Sequence, residues 1–296
     1  MNSEEEETAA TETAADPTPQ ASATASPACG CGHSGPTAPG YVYAIGRIRP
    51  QIPNAGVEKE LAQVMAGADT GGLTDSESLH AVLSDSQNRY LVRQMCWVFA
   101  VEGIDTYLVQ PRDPVDFDVL VETLRPATDS GDVDVLIGRR GEAPPPEYCN
   151  GLVLPTVGFD QIYSFDRASI IAALPLPEKM SEEKEKRYRS GAGEVFDQVT
   201  QISDNTGASD QHRAVNYLAV RYPRLYSVVT DAFQRNVSFT GLDFAPSSLA
   251  GARTIIDVIV NFQHRETAVT ERMFARVDTT EEFPFLVTPM QPLYER

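Results

Sequence analysis

The sequence predicts an α+β protein with mixed, largely antiparallel sheets, a helical middle segment and a disordered N-terminal tail. Three observations predict it. Apolar, β-branched and aromatic runs dominate the early and late parts of the chain, an apolar period of 3.6 residues fills the middle, and the first forty or so residues are almost wholly Glu, Thr, Ala, Pro, Ser and Gly. Blocks in that order fit α+β better than a regular βαβ alternation. The tail cannot bury enough apolar surface to offset its ordering entropy, so it is set apart as 1–38, ending in a Cys-x-Cys segment, and the folded domain as 39–296.

The first strand is expected over Tyr41 to Ile48, closed by Pro50 and Pro53. Val57, Leu61, Val64 and Met65 share one helical face, ended by Gly67 and Gly71-Gly72. Thr74 and Glu77 have capping-box spacing, so a second helix begins at Thr74. Val92 to Val101 and Ile104 to Val109 read as two strands joined by a tight turn at Glu102-Gly103, apolar enough to be interior to a sheet.

Asp113-Pro114 offers a cap and first-turn proline to a helix carrying Phe117, Leu120, Val121 and Leu124. Val133 to Ile137 and Gly151 to Phe159 read as strands separated by the triple proline 144–146. Behind Pro175 and Pro177, Tyr188, Val195, Phe196, Val199 and Ile202 keep a helical period, and His212 to Arg221 and Arg224 to Gln234 give two more helices divided by Pro223. Thr254 to Phe262 pairs with Val269 to Val277 across a polar loop, and Phe283 to Val287 adds a last strand.

The net charge is −18, of which six charges belong to the tail, leaving −12 on the rest. That sign repels phosphate backbones, so no nucleic-acid partner is expected; the basic run Lys184 to Arg189 reads as a solvated helix face. The longest apolar run, Met95 to Val101, is far short of the roughly eighteen residues a membrane helix requires. With a tail of the opposite composition to a targeting signal, a soluble cytoplasmic protein without membrane contact is expected.

No Walker-type loop, Gly-x-Gly-x-x-Gly, His-Glu-x-x-His or Gly-x-Ser-x-Gly occurs, and no catalytic residue is assigned. His80 reads as a structural helix histidine, His212 as a surface or capping residue, and His264 as a solvated loop residue. The carboxylates Asp113, Asp116 and Asp118, and Asp278, Glu281 and Glu282, read as caps and solvated loops.

The cysteines carry the most chemistry. Cys29-Gly-Cys31-Gly-His33 places two soft ligands one residue apart; Cys96 falls in the buried-strand segment and Cys149 beside the proline loop. Without a secretory signal a disulfide framework is not expected, leaving free thiols or metal ligands. Read singly, Cys96 is a core cysteine, Cys149 a loop thiol and Cys29-x-Cys31 a redox pair. Read together, Cys29, Cys31, Cys96 and Cys149 make one closed tetrahedral set for a structural zinc ion.

The segments Tyr41–Ile48, Gly56–Glu60, Asn88–Val98, Tyr107–Asp113, Cys149–Leu152, Phe159–Phe165 and Glu282–Val287 resemble the domain of unknown function at the C-terminus of PatG-type cyanobactin maturation proteases, from about Tyr41 to the end. The resemblance implies a zinc-binding homodimer with cysteine ligands, acting near ribosomally made peptides and partnered by a precursor peptide or a maturation enzyme. The subtilisin-like triad segments are absent, so proteolysis and cyclisation are not implied. Two other functions stay open: a peptide-modifying enzyme with its site around Gln94, Arg112, Asp113 and Asp160, and a thiol redox sensor using Cys29 and Cys31.

Overall fold

A closed barrel of five strands is the first half of the molecule. The computed structural model describes residues 40–126, 132–172, 181–200, 204–249 and 251–294. The tail with Cys29, Cys31 and His33, and the later residues Pro175, Pro177 and Ile202, lie outside them. Contacts group Ala38–Arg296 as one unit.

The barrel strands are β1 (Tyr41–Gln51), β2 (Cys96–Val101), β3 (Ile104–Gln110), β4 (Val133–Arg140) and β5 (Thr156–Phe165), hydrogen-bonded in the order β1-β2-β3-β5-β4. Every pairing is antiparallel except β3 with β5, where Leu108 to Gln110 lie parallel to Thr156 to Gly158 and close the ring. Closure leaves β2 and β3 without a free edge, as their apolar sequence requires.

Alternation along β1 sorts its side chains. Val42, Ala44 and Ile48 join Trp97, Phe99, Val101, Tyr107, Val109, Leu136, Val157 and Phe159 in the core on the inner side of the ring, while Tyr43 and Ile45 face outward. Gly46 is required here, because a Cβ would lie 2.8 Å from the Phe99 ring and closer still to a backbone oxygen. Helices α1 (Ala55–Gly67), α2 (Asp75–Ser84), α3 (Arg89–Gln94) and α4 (Asp116–Glu122) add Val57, Leu83, Leu91, Val92 and Leu120 to the same core. Asn54 caps α1, and Thr74 caps α2 through the expected capping box.

A second core forms on the outer face of β1 and β4. Helices α5 (Arg167–Ala172), α6 (Glu182–Thr200), α7 (Asp210–Arg221) and α8 (Arg224–Gln234) precede an antiparallel sheet of β6 (Val237–Pro246), β7 (Ile255–His264), β8 (Thr270–Asp278) and β9 (Phe285–Pro292), ordered as numbered. Tyr43, Ile45, Val135 and Ile137 from the barrel meet Phe196, Leu218, Tyr226, Val258, Phe262 and Val277. Central to this layer is α7, whose Asn216 Nδ2 donates to the Tyr43 carbonyl at 2.8 Å. The Tyr43 amide in turn donates to Gly207 O at 2.9 Å. Gly207 has φ +74 and its missing Cβ leaves room for the Tyr43 and Ala44 backbone.

Four local expectations are corrected. Val92 to Gln94 belongs to α3, and the strand begins at Cys96; Trp97 Nε1 donates to Val92 O across the junction. Pro50 lies inside β1, where it replaces a paired position opposite Trp97. The helix after Asp113-Pro114 starts at Asp116 with Val115 at its N-cap and no side-chain cap, and Asp116 Oδ2 instead accepts from the upstream amides of Arg112 and Asp113. The strand expected from Gly151 starts at Thr156, because Asn150 (φ 47) and Gly151 (φ 85) turn the chain in left-handed conformations.

Candidate functional site: the Cys96–Cys149 pair

Cys96 opens β2 on the strand's outer side, beside Val98. Cys149 ends a short 3₁₀ turn, Pro146–Cys149, that the proline run starts and Asn150 stops. The turn is held by Gly151 N donating to Pro146 O at 2.8 Å and Leu152 N to Cys149 O at 2.9 Å, and its continuation is tied to the barrel by Leu108 N donating to Pro155 O at 3.0 Å. Leu152 and Leu154 cover Val98 and Leu108, and this small apolar cluster encloses both sulfurs, leaving Cys96 3% and Cys149 0% exposed.

The structure joins the two as a disulfide with Cα atoms 5.9 Å apart across 53 residues. This corrects the expectation that no disulfide forms: β2 and the 3₁₀ turn bring Cys96 and Cys149 to bonding distance. Neither single reading, core cysteine or loop thiol, describes a pair.

The pair also has the chemistry of half a zinc site. Zinc holds thiolates at about 2.3 Å, which sets tetrahedral sulfurs about 3.8 Å apart. Among the described residues no group of three or more His, Cys, Asp or Glu side chains could hold a metal. Two soft donors are therefore what this part of the chain offers, and further ligands have to come from Cys29 and Cys31, outside the described residues, or from a second copy.

The residues of the alternative enzyme reading are only partly assembled. Arg112 forms an ion pair with Asp160 and donates through Nη2 to Gly158 O at 3.1 Å. Arg112 and Asp113 line a groove with Met95, Trp97, Phe117 and Tyr148, while Gln94 is exposed at the end of α3 and is not among the groove's lining residues. His80 and His264 stay near their expected roles: His80 is half-buried in α2, and His264 Nδ1 accepts from the amides of Glu266 and Thr267 in its hairpin. His212 departs from its expected surface or capping role, because Ser209 caps α7 and the His212 Nδ1 is buried without a hydrogen-bond partner among the described residues.

A charged cluster at the barrel surface was not foreseen. Glu282 was read as solvated, yet its side chain is 9% exposed, and Oε2 accepts from Arg139 Nε at 3.0 Å. Oε1 is buried without a hydrogen-bond partner, and the Asp160 carboxyl lies within hydrogen-bonding reach of this side chain. Asp278, also read as solvated, is 2% exposed beside Arg253. By contrast Asp118 is exposed and paired with Arg89, as expected of its group. Separations of 122 and 143 residues from Asp160 and Arg139 hide the Glu282 cluster from any local pattern.

Burial pushes the Glu282 carboxyl above its usual range; the hydrogen bond and charge of Asp160 push the same way, and Arg139 opposes them. A raised folded-state value means that the contribution of Glu282 to stability is complete below the ordinary carboxylate value, about 4.3. It is then lost as pH rises through the raised one. Glu282→Gln is expected to flatten that part of the pH dependence of the unfolding midpoint. Parallel midpoint-versus-pH curves for both proteins would contradict the assignment.

These features define a class before they define a family: a closed barrel joined through a helical layer to an antiparallel sheet, with a buried cysteine pair on the barrel wall. Residues 41–141 match the PatG Domain family and residues 182–293 the PatG C-terminal family. A solved structure titled "PatG Domain of Unknown Function" superposes with a TM-score of 0.69 at 19% identity, covering 86% of this chain and 98% of that one. No curated protein matches. The chain belongs to the PatG domain-of-unknown-function family.

Proposed function

We propose that this chain is a non-catalytic, zinc-binding accessory protein of a ribosomal peptide natural-product pathway of the cyanobactin kind. It holds one structural zinc through Cys29, Cys31, Cys96 and Cys149, acts as a homodimer, and binds a precursor peptide or a partner maturation enzyme. The observation that carries the metal part is the convergence of Cys96 and Cys149 in one apolar pocket, from elements 53 residues apart. Membership of the PatG family supports the pathway. Four thiolates close a tetrahedral site, so the ion's chemistry there is structural, contributing folding free energy rather than an open catalytic position.

Metal analysis of the reduced full chain tests this. About one zinc per chain is expected, with the content falling in Cys29→Ser combined with Cys31→Ser; no zinc, or zinc unchanged in that variant, contradicts it. The groove beside Arg112 keeps the enzyme reading as the second possibility. Incubation with a cyanobactin-type precursor peptide separates the two, because an accessory protein leaves the peptide mass unchanged.

A further inference from the structure

We propose that Cys96 and Cys149 are a thiol–disulfide couple, oxidised by low-molecular-weight disulfides and reduced by thiols, and that the chain holds zinc only while the couple is reduced. The second clause rests on the zinc reading above; the first does not.

The Cα separation of 5.9 Å lies inside the window of about 4.4–6.8 Å that a disulfide needs, so bond formation requires no movement of the barrel. The same two sulfurs are the ones a metal would use. A sulfur in a disulfide has no thiolate charge to offer, so the two states exclude one another. In the redox reading from sequence the couple was Cys29 with Cys31. The structure instead assigns it to a pair fixed by a strand and a hydrogen-bonded turn, where the partner is already in place.

The step balances. One thiolate attacks a sulfur of the small disulfide and expels one small thiolate; the second cysteine thiolate then attacks the mixed disulfide, forming the Cys96–Cys149 bond and expelling the other small thiolate. The two cysteine sulfurs are oxidised and the small disulfide is reduced. Two protons from solvent complete the two thiols, and any zinc held leaves as the divalent ion.

Access runs through the turn. Both sulfurs are buried, but Tyr148 and Val153 on either side of Cys149 are 48% and 52% exposed, so the turn lies at the surface directly over the pair. Local opening of this turn is therefore the route by which a small disulfide reaches the sulfurs. The consequence reaches a neighbouring surface. Met95 and Tyr148, the residues next to the two cysteines, form walls of the groove that also holds Trp97 and Phe117, and the bond fixes those walls to one another.

The test uses the full chain, purified reduced and loaded with zinc alone, then titrated with oxidised glutathione without other oxidants. Zinc release is followed with a metallochromic dye, and the cross-link is mapped by mass spectrometry of the digested protein. Expected is a Cys96–Cys149 cross-link, formed in step with release of one zinc per chain and reversed by dithiothreitol with zinc taken up again. A cross-link complete while zinc stays bound overturns the exclusion, and oxidation confined to Cys29 and Cys31 overturns the couple. A reduced chain that takes up no zinc refutes the metal reading and the second clause with it. The mass map of that same sample still decides the first clause: a Cys96–Cys149 cross-link sustains it and its absence overturns it.

Discussion

Arg213→Met is expected to cost about 3–5 kcal/mol of folding stability, because it removes the donor from several enclosed carbonyls at once. Arg213 is 3% exposed at the start of α7. Its Nη1 donates to Thr279 O at 2.8 Å and to Asp210 Oδ1 at 3.2 Å, while Nη2 donates to the carbonyls of Glu281 and Glu282. Its guanidinium lies 5.1 Å from the centre of the Tyr41 ring. One side chain thus ties the β8–β9 connection to α7 and to the first barrel strand. Methionine fills much of the volume but leaves three backbone carbonyls without a donor in a place water reaches poorly, and each such loss costs about 1–3 kcal/mol. Asp210, half-exposed, resolvates. Urea denaturation measures the change; a loss below about 1 kcal/mol would show that the connection is held by packing alone.

Phe99→Ala is the second large effect. Phe99 is fully buried on the inner side of the ring, against the space kept open by Gly46, and β3, β4 and β5 contribute Tyr107, Leu136 and Phe159 to the same core. Truncating a phenylalanine that the surroundings cannot close over costs about 3–5 kcal/mol. For a unit of this size that lowers the melting temperature by roughly 10 °C. Trp97, the one tryptophan, belongs to the same core and reports the transition by fluorescence without being altered. A variant that melts within a degree or two of the parent would mean that the barrel refills the space.

The elements that were legible in the sequence are those whose signals are local. The capping box at Thr74 and Glu77, the left-handed pair Glu102-Gly103 between β2 and β3, Pro223 between α7 and α8, and the alternation of β8 against β7 each rest on residues a few positions apart. Barrel closure was not legible, because the parallel pairing of Leu108 with Thr156 joins segments 48 residues apart through three register positions. Strand β6 escaped notice for a different reason: Gly241 at φ +154 and a register shift beside it break the alternation that marks a strand. The end of helix α3 was absorbed into the apolar run from Val92, a residue as buried as the strand that follows.

The site divides the same way. Composition placed Cys96 in a buried strand and Cys149 beside a turn, but only the fold brings them together. The Arg112–Asp160 pair lay within the region marked for an enzyme site, whereas Glu282 and Arg139 join it from distant segments. The carboxylates read as solvated divide by burial: Asp118 stays at the surface, and Glu282 and Asp278 are enclosed by elements not adjacent in sequence.

X-ray absorption at the zinc edge of the reduced, full-length protein tests the metal reading most directly. Four sulfur neighbours at about 2.3 Å are predicted, falling in number when Cys149 is replaced by serine. A first shell of nitrogen or oxygen, or a sulfur shell unchanged in that variant, would contradict it.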